Sequence, residues 1–267
     1  MNSFKLLLSS ILISVSFLTF AQPSACFNAD FEDNSFTNWT GFYGSCCGIN
    51  TPNQGFTNQH QIMVGPGTDP MVAACATLSI VPPGENFSAM VGDFTGTVAQ
   101  ASRLQYNFTI TPQSNMIIVK YAVVLEDPGH PPNAQPVFEM RLLDQAGNQI
   151  GGNCGVYTVY AGQAGQNFQT CGGVKWLPWT IVGVNLTAYT GQLVTVEFTT
   201  KDCDYSGHFG YAYVVADCMP LILDLDYCFG ANTINISGPA GFQSYSWSSG
   251  QNTQSISVPV ANAAPTY

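Results

Sequence analysis

The residues that could do chemistry in this chain of 267 are few: three histidines at 60, 130 and 208, scattered carboxylates, nine cysteines and a set of large aromatics. The histidines are too far apart for the H-E-x-x-H spacing of a catalytic zinc helix. His130 sits in Asp127-Pro128-Gly129-His130-Pro131-Pro132, a turn whose prolines hold its side chain outward, and His208 follows Gly207. Should the two converge in space, they would form one edge of a site. Glu126, Asp127, Glu139 and Glu197 could supply the carboxyl pair of a glycosidase, which stands roughly 5 to 10 Å apart across a cleft. Glu139 and Glu197, however, fall on the polar faces of alternating runs, where solvated carboxylates are the default. No G-x-S-x-G elbow is present, and the chain is expected to be non-catalytic. Sugar recognition needs less: an exposed ring to stack on a pyranose and polar groups for its hydroxyls. Trp39, Tyr43, Trp176 and Trp179 are the rings to consider, with His60 and His130 as polar partners. Trp39 and Trp179 adjoin strand patterns and are expected in the core. Trp176, between Lys175 and Leu177-Pro178, is the expected surface ring.

The cysteines stand at 26, 46, 47, 75, 154, 171, 203, 218 and 228. No C-x-x-C pair is present, and adjacent Cys46 and Cys47 cannot supply that chelate spacing. Disulfides are the expectation, and proximity in sequence suggests Cys154 with Cys171, Cys46 or Cys47 with Cys75, and Cys203 with Cys218. The odd total leaves one thiol alone or joined to another chain. An oxidising compartment agrees with the N-terminus. Lys5 precedes an apolar run from Leu6 to Phe20, with small residues at Thr19 and Ala21, the pattern of a secretory signal peptide spanning residues 1–21. That run is short for a membrane core about 30 Å thick.

Charged residues make up 8% of the chain and apolar ones 46%, with a net charge of -10. Four lysines and two arginines offer no basic stripe, which excludes nucleic acid and an anionic membrane surface as partners.

Any such groups must be positioned by strands. Leu104–Ile110, Val137–Leu143, Leu193–Thr199 and Phe209–Ala216 follow a two-residue rhythm. Met116–Leu125 is apolar on both faces, as a central strand would be. Turn residues separate them at Thr111-Pro112, Asp127-Pro128-Gly129, Ala146-Gly147-Asn148 and Thr190-Gly191. The expectation is an all-β fold: an antiparallel jelly-roll β-sandwich over residues 22–227. Residues 228–267 carry three short strand patterns, at 233–237, 244–248 and 255–258, and a lone Trp247. They are expected to form part of an immunoglobulin-like domain, which needs about seven strands. Asp224 and Asp226 form a same-face pair at the junction, expected to be solvated.

Several segments carry a resemblance. Asn28-Ala29-Asp30-Phe31-Glu32 with Trp39 resembles the opening strand of galactose-binding-like jelly rolls, and the run from Trp179 to Phe198 resembles their penultimate hairpin. Leu125–His130 and Asp202–Cys218 resemble a module of type IX-secreted surface adhesins of gliding bacteria, which precedes immunoglobulin-like or PKD-like repeats. Ser237–Gly250 is similar to the start of such a repeat. The resemblance implies a structural calcium held by Asp30, Glu32 and Asp217, the positions that match the family's ion site between first and last strands. It also implies an exported cell-surface module contacting glycans or neighbouring surface proteins through the long loops Gly41–Pro70, Asp127–Pro136 and Gly151–Val174. The alternative is a spacer. The sorting domain carried by type IX cargo has no match in the chain, so a fragment is expected.

Overall fold

The computed structural model describes residues 26–46, 49–95, 98–226, 232–239, 241–242 and 244–259. The expected signal peptide at 1–21, Cys47 and Cys228 lie outside the described residues. The strands are β1 (Trp39–Ser45), β2 (Asn50–Gln54), β3 (His60–Val64), β4 (Phe87–Gly92), β5 (Gln100–Thr109), β6 (Met116–Glu126), β7 (Val137–Asp144), β8 (Val156–Tyr160), β9 (Gln169–Cys171), β10 (Val174–Asn185), β11 (Leu193–Lys201), β12 (Gly210–Met219), β13 (Asp224–Asp226), β14 (Thr233–Ser237) and β15 (Ser255–Pro259). Two six-stranded antiparallel sheets face each other, in the orders β2-β1-β5-β11-β7-β8 and β3-β4-β12-β6-β10-β9. The five strands expected from the sequence are β5, β6, β7, β11 and β12, with ends displaced by up to four residues. Leu104, Phe138, Met140, Val196 and Phe198 of the first sheet meet Val119, Val123, Ala212 and Val214 of the second across the main core.

β6 and β12 are apolar on both faces because both faces are covered. Their outward residues Ala122, Val124, Tyr211 and Tyr213 pack under the segment 66–81, with Val72, Leu78 and Trp176. The segment is anchored by Asp69, wholly buried, whose carboxylate accepts hydrogen bonds from the backbone N–H of Met71 and Val72 (both 2.9 Å) and from the hydroxyls of Tyr211 (2.6 Å) and Tyr213 (2.9 Å). The Cys75–Cys171 disulfide ties it to β9, and the Trp179 indole N–H donates to Ser79 O at 2.8 Å. Trp176 is therefore no surface ring: at 5% exposure it belongs to this second core, because the pleat of β10 sends Leu177 into the main core and Trp176 to the opposite face, which the segment 66–81 covers.

The other disulfide joins Cys26 to Cys218. Both observed bonds span long loops, 192 and 96 residues apart in sequence, so the expected local pairings of Cys75, Cys171 and Cys218 are corrected. Cys154 is exposed and Cys203 buried, neither in a disulfide among the described residues.

The segment 28–32 is a succession of turns rather than an opening strand. Asn28, Phe31, Asn34 and Asn38 all have positive φ, a conformation asparagine tolerates because its side chain hydrogen-bonds locally. The Asn28 amide donates to Ser35 O and Thr37 O, both at 3.0 Å. Phe31, fully buried at φ 63°, stacks on Trp39 at 4.6 Å. Nor is 179–198 a hairpin: β10 pairs with β6 in one sheet and β11 with β5 in the other, so the chain crosses the sandwich between them. The expected loop Gly41–Pro70 contains most of β1 and all of β2 and β3. In the small third sheet, β13-β14-β15, the expected strand at 244–248 is replaced by Asp224–Asp226. Trp247 instead plugs that sheet, packing with Ile236, Ile256 and Val258 and donating its indole N–H to Thr253 O at 2.7 Å.

Candidate functional site

The outer face of the first sheet is open, and both arginines of the chain converge there on one carboxylate. Glu197, at the centre on β11, is 1% exposed although it lies outside the core. Gln105 donates to its Oε2 at 2.6 Å, and Arg141 Nε donates to Oε1 at 3.1 Å, with Arg141 Nη2 on the same oxygen. Arg103 Nε lies 3.4 Å from Oε2 and donates to Thr199 Oγ1 at 3.1 Å. Arg141 also pairs with Glu139 at 3.1 Å. Burial opposes the charge on Arg141, but the hydrogen bond and charge of Glu197, with Glu139 behind them, outweigh it and hold its pKa above the ordinary value. Glu139 and Glu197 thus share an arginine on one flat sheet rather than facing each other across a cleft.

The expected sugar contacts disperse. His60 is 5% exposed, wedged between β3 and β5. Its Nδ1 accepts from the Thr57 backbone N–H at 3.2 Å, which leaves Nε2–H to donate to Arg103 O at 3.1 Å. It is a packed histidine with both ring nitrogens engaged by backbone groups. Burial lowers its pKa, against the opposing pull of the Arg103 and Phe42 carbonyls. A lowered histidine pKa means the unfolded chain binds the proton more readily. Stability at His60 is therefore full above the ordinary histidine value of about 6.5 and lost as the pH falls below it. The unfolding free energy from urea titrations between pH 7.5 and 5 should fall with pH, by at most about 1.4 kcal/mol per pH unit from this group. His60→Gln should flatten the slope.

Tyr43 is half-buried on β1. Asp30 lies in the turn segment, its carboxyl pKa raised by burial first and then by the charges of Asp217 and Glu32, against the Glu32 backbone N–H that it accepts at 3.3 Å. The structure thus brings Asp30 within electrostatic reach of Asp217, at the end cross-linked by Cys26–Cys218. Glu32 is engaged as a brace, accepting from Asn86 N (2.7 Å), Asn86 Nδ2 (2.8 Å) and Phe87 N (3.3 Å) at the start of β4. His130 does meet His208: their rings cross edge-on at 5.1 Å.

A cavity of about 580 Å³ lies between β8 of one sheet and β10 of the other, with Gly241, Phe242 and Ser244 as a third wall. Gly183 N–H donates to Gly241 O at 2.7 Å and holds that wall in place. Gly241 has φ +95°, and a Cβ there would lie 2.9 to 3.0 Å from Ile118 and Gly183, so glycine is required. The floor is an aromatic pair, Tyr121 and Tyr157, stacked at 5.2 Å. The Tyr157 hydroxyl donates to Gln166 Oε1 at 2.9 Å. Burial pushes both phenols up, Tyr157 to about 12 and Tyr121 further, so both stay protonated. Asn153, Asn167, Thr180 and Ser244 add amides and hydroxyls, and Phe242 adds a ring. None of the described side chains lining the cavity is charged. Sequence reasoning singled out the enclosing loop Gly151–Val174 but not Tyr157, Gln166 or Phe242. The signal available was the uncharged amide run Gln163 to Gln169, broken by Phe168.

No family profile matches the chain, and no curated protein does. Among solved structures the chain is similar to TmCBM61 in complex with β-1,4-galactotriose, at 11% identity over 73% of this chain and 98% of that one, TM-score 0.40. It is similar to Caldicellulosiruptor saccharolyticus CBM27-1 in complex with mannohexaose, at 11% identity over 72% and 94%, TM-score 0.36. The cleaved adhesin domain of Lys-gingipain from Porphyromonas gingivalis matches at 12% identity over 66% and 96%, TM-score 0.30. At these values the likenesses assign no ligand and no activity to this chain.

Proposed function

We propose that the chain is a non-catalytic glycan-binding module of an exported cell-surface protein, and that it takes an uncharged sugar in the cavity between β8 and β10. One observation carries this: a cavity of about 580 Å³ lined by stacked tyrosines, amides and hydroxyls without a charged side chain. That size falls in the usual range for small-ligand sites, about 300–1,000 Å³. Amides and hydroxyls pair with sugar hydroxyls without the desolvation cost of a buried charge, and a tyrosine floor offers an apolar face with a polar tip. The leader pattern and the disulfides support export, and the resemblance to gliding-bacterium adhesin modules supports a surface location. Residues 228–267 are proposed as part of a following immunoglobulin-like or PKD-like repeat. A glycan array probed with the chain tests this reading. Retention of neutral oligosaccharides supports it, and silence across the array favours a spacer.

A structural calcium at Asp30 and Asp217 remains a proposal, with Glu32 held nearby. Two carboxylates brought together at a partly buried end repel, and a cation between them relieves the repulsion. If calcium binds, millimolar CaCl₂ should raise the melting temperature relative to chelator, and Asp30→Asn should abolish the rise.

A further inference from the structure

We propose that His130, Cys203 and His208 form a zinc site that staples the loop after β6 to the loop before β12. Each residue offers one ligand atom, and the three atoms lie within 4.8 Å of one another, the one such group of histidine, cysteine and acidic side chains among the described residues. Cys203 Sγ is 3.2 Å from His208 Nδ1. Zinc–sulfur and zinc–nitrogen bonds of about 2.3 and 2.0–2.1 Å place tetrahedral neighbours roughly 3.3–3.6 Å apart, so the ligand atoms need shift by no more than about 1.5 Å. The second observation is His130 Nδ1, a buried nitrogen with no hydrogen-bond partner. A buried ring nitrogen without a hydrogen-bond partner is a cost that a bound cation removes.

The backbone prepares both loops. Cys203 N–H donates to His208 O at 3.0 Å, and Ser206 and Gly207, at φ 65° and 90°, turn the chain so that both side chains fall on the same side. The facing loop is pinned by Asp204 N–H to Ala134 O at 3.0 Å and Lys201 Nζ to Asn133 O at 3.2 Å. Register explains the meeting: Leu125 pairs with Gly210, so the end of β6 lies beside the start of β12. Imidazole and thiolate are ligands for zinc rather than for calcium or magnesium. Binding would release the Cys203 thiol proton to solvent and leave a fourth position for water.

The test uses the untagged chain, stripped with chelator under mild conditions that leave disulfides intact, then titrated with Zn²⁺ and, separately, with Co²⁺. The expected result is one tightly held equivalent and, with cobalt, a thiolate charge-transfer band beside tetrahedral ligand-field bands. Cys203→Ser should lose the charge-transfer band. His130→Gln should keep it while weakening affinity by more than the roughly 10–100-fold that loss of a mere outer-shell partner costs. If Cys203→Ser does not fold, His130→Gln and His208→Gln carry the comparison. Failure of the wild-type chain to retain zinc, uptake indifferent to these substitutions, or peptide mapping that finds Cys203 in a disulfide would overturn the proposal.

Discussion

Asp69→Ala should destabilise the protein by about 3–5 kcal/mol, the range for removing one member of a buried charged network. The carboxylate is wholly buried and accepts four hydrogen bonds, two from its own loop and two from tyrosines on the central strand β12. Alanine would leave two phenolic hydroxyls and two amides without an acceptor, each costing about 1–3 kcal/mol before relaxation. Tyr211→Phe and Tyr213→Phe remove a donor together with its need for an acceptor, and each should cost only about 1 kcal/mol. Urea unfolding of the four proteins separates these cases. If Asp69→Ala costs less than either tyrosine substitution, the segment 66–81 is held by its disulfide and apolar contacts instead. The same variant should open the second core and render Trp176 accessible to fluorescence quenchers, which gives an independent reading of where the loss occurs.

The second large effect is on binding. Tyr157→Ala should weaken the retained oligosaccharide by about 10- to 100-fold, since it removes a stacking ring together with the hydroxyl that orients Gln166. Because Tyr157 also packs against the main core, its loss will cost stability, and exposed Asn167→Ala serves as the companion. That substitution should leave the melting temperature within about 1–2 °C while lowering affinity several-fold, as expected for one lost neutral hydrogen bond of about 1 kcal/mol. Titration calorimetry on both variants, with the best array ligand, measures the two effects. Unchanged affinity in both would remove the cavity from consideration and redirect attention to the open arginine-bearing face of the first sheet.

Period-two patterning marked β5, β7 and β11 in the sequence, because a half-buried strand must alternate wherever one face meets the core, while β6 and β12 stood out as long apolar runs because both their faces are covered. The short edge strands β2, β3, β8 and β9 carry too few residues for a period to emerge, and β10 is disguised by Pro178 and by apolar residues on both sides. The turns at 28–38 imitate a strand in composition because buried Phe31 and Trp39 supply apolar residues at even spacing, while the asparagines that bend the chain look merely polar.

Charge balance, the cysteine count and the inward face of β5, β7 and β11 were decided by local sequence, because they depend on composition or on neighbours two residues apart. Three things waited for the tertiary structure. Disulfide partners depend on which loops end up side by side, and the two bonds found join residues 96 and 192 positions apart. The fate of Trp176 depended on whether anything covers the second sheet, and the distant segment around Asp69 does. His130 reaches Cys203 and His208 only because β6 and β12 are antiparallel neighbours. Strand order is a property of the whole sandwich that no local period encodes.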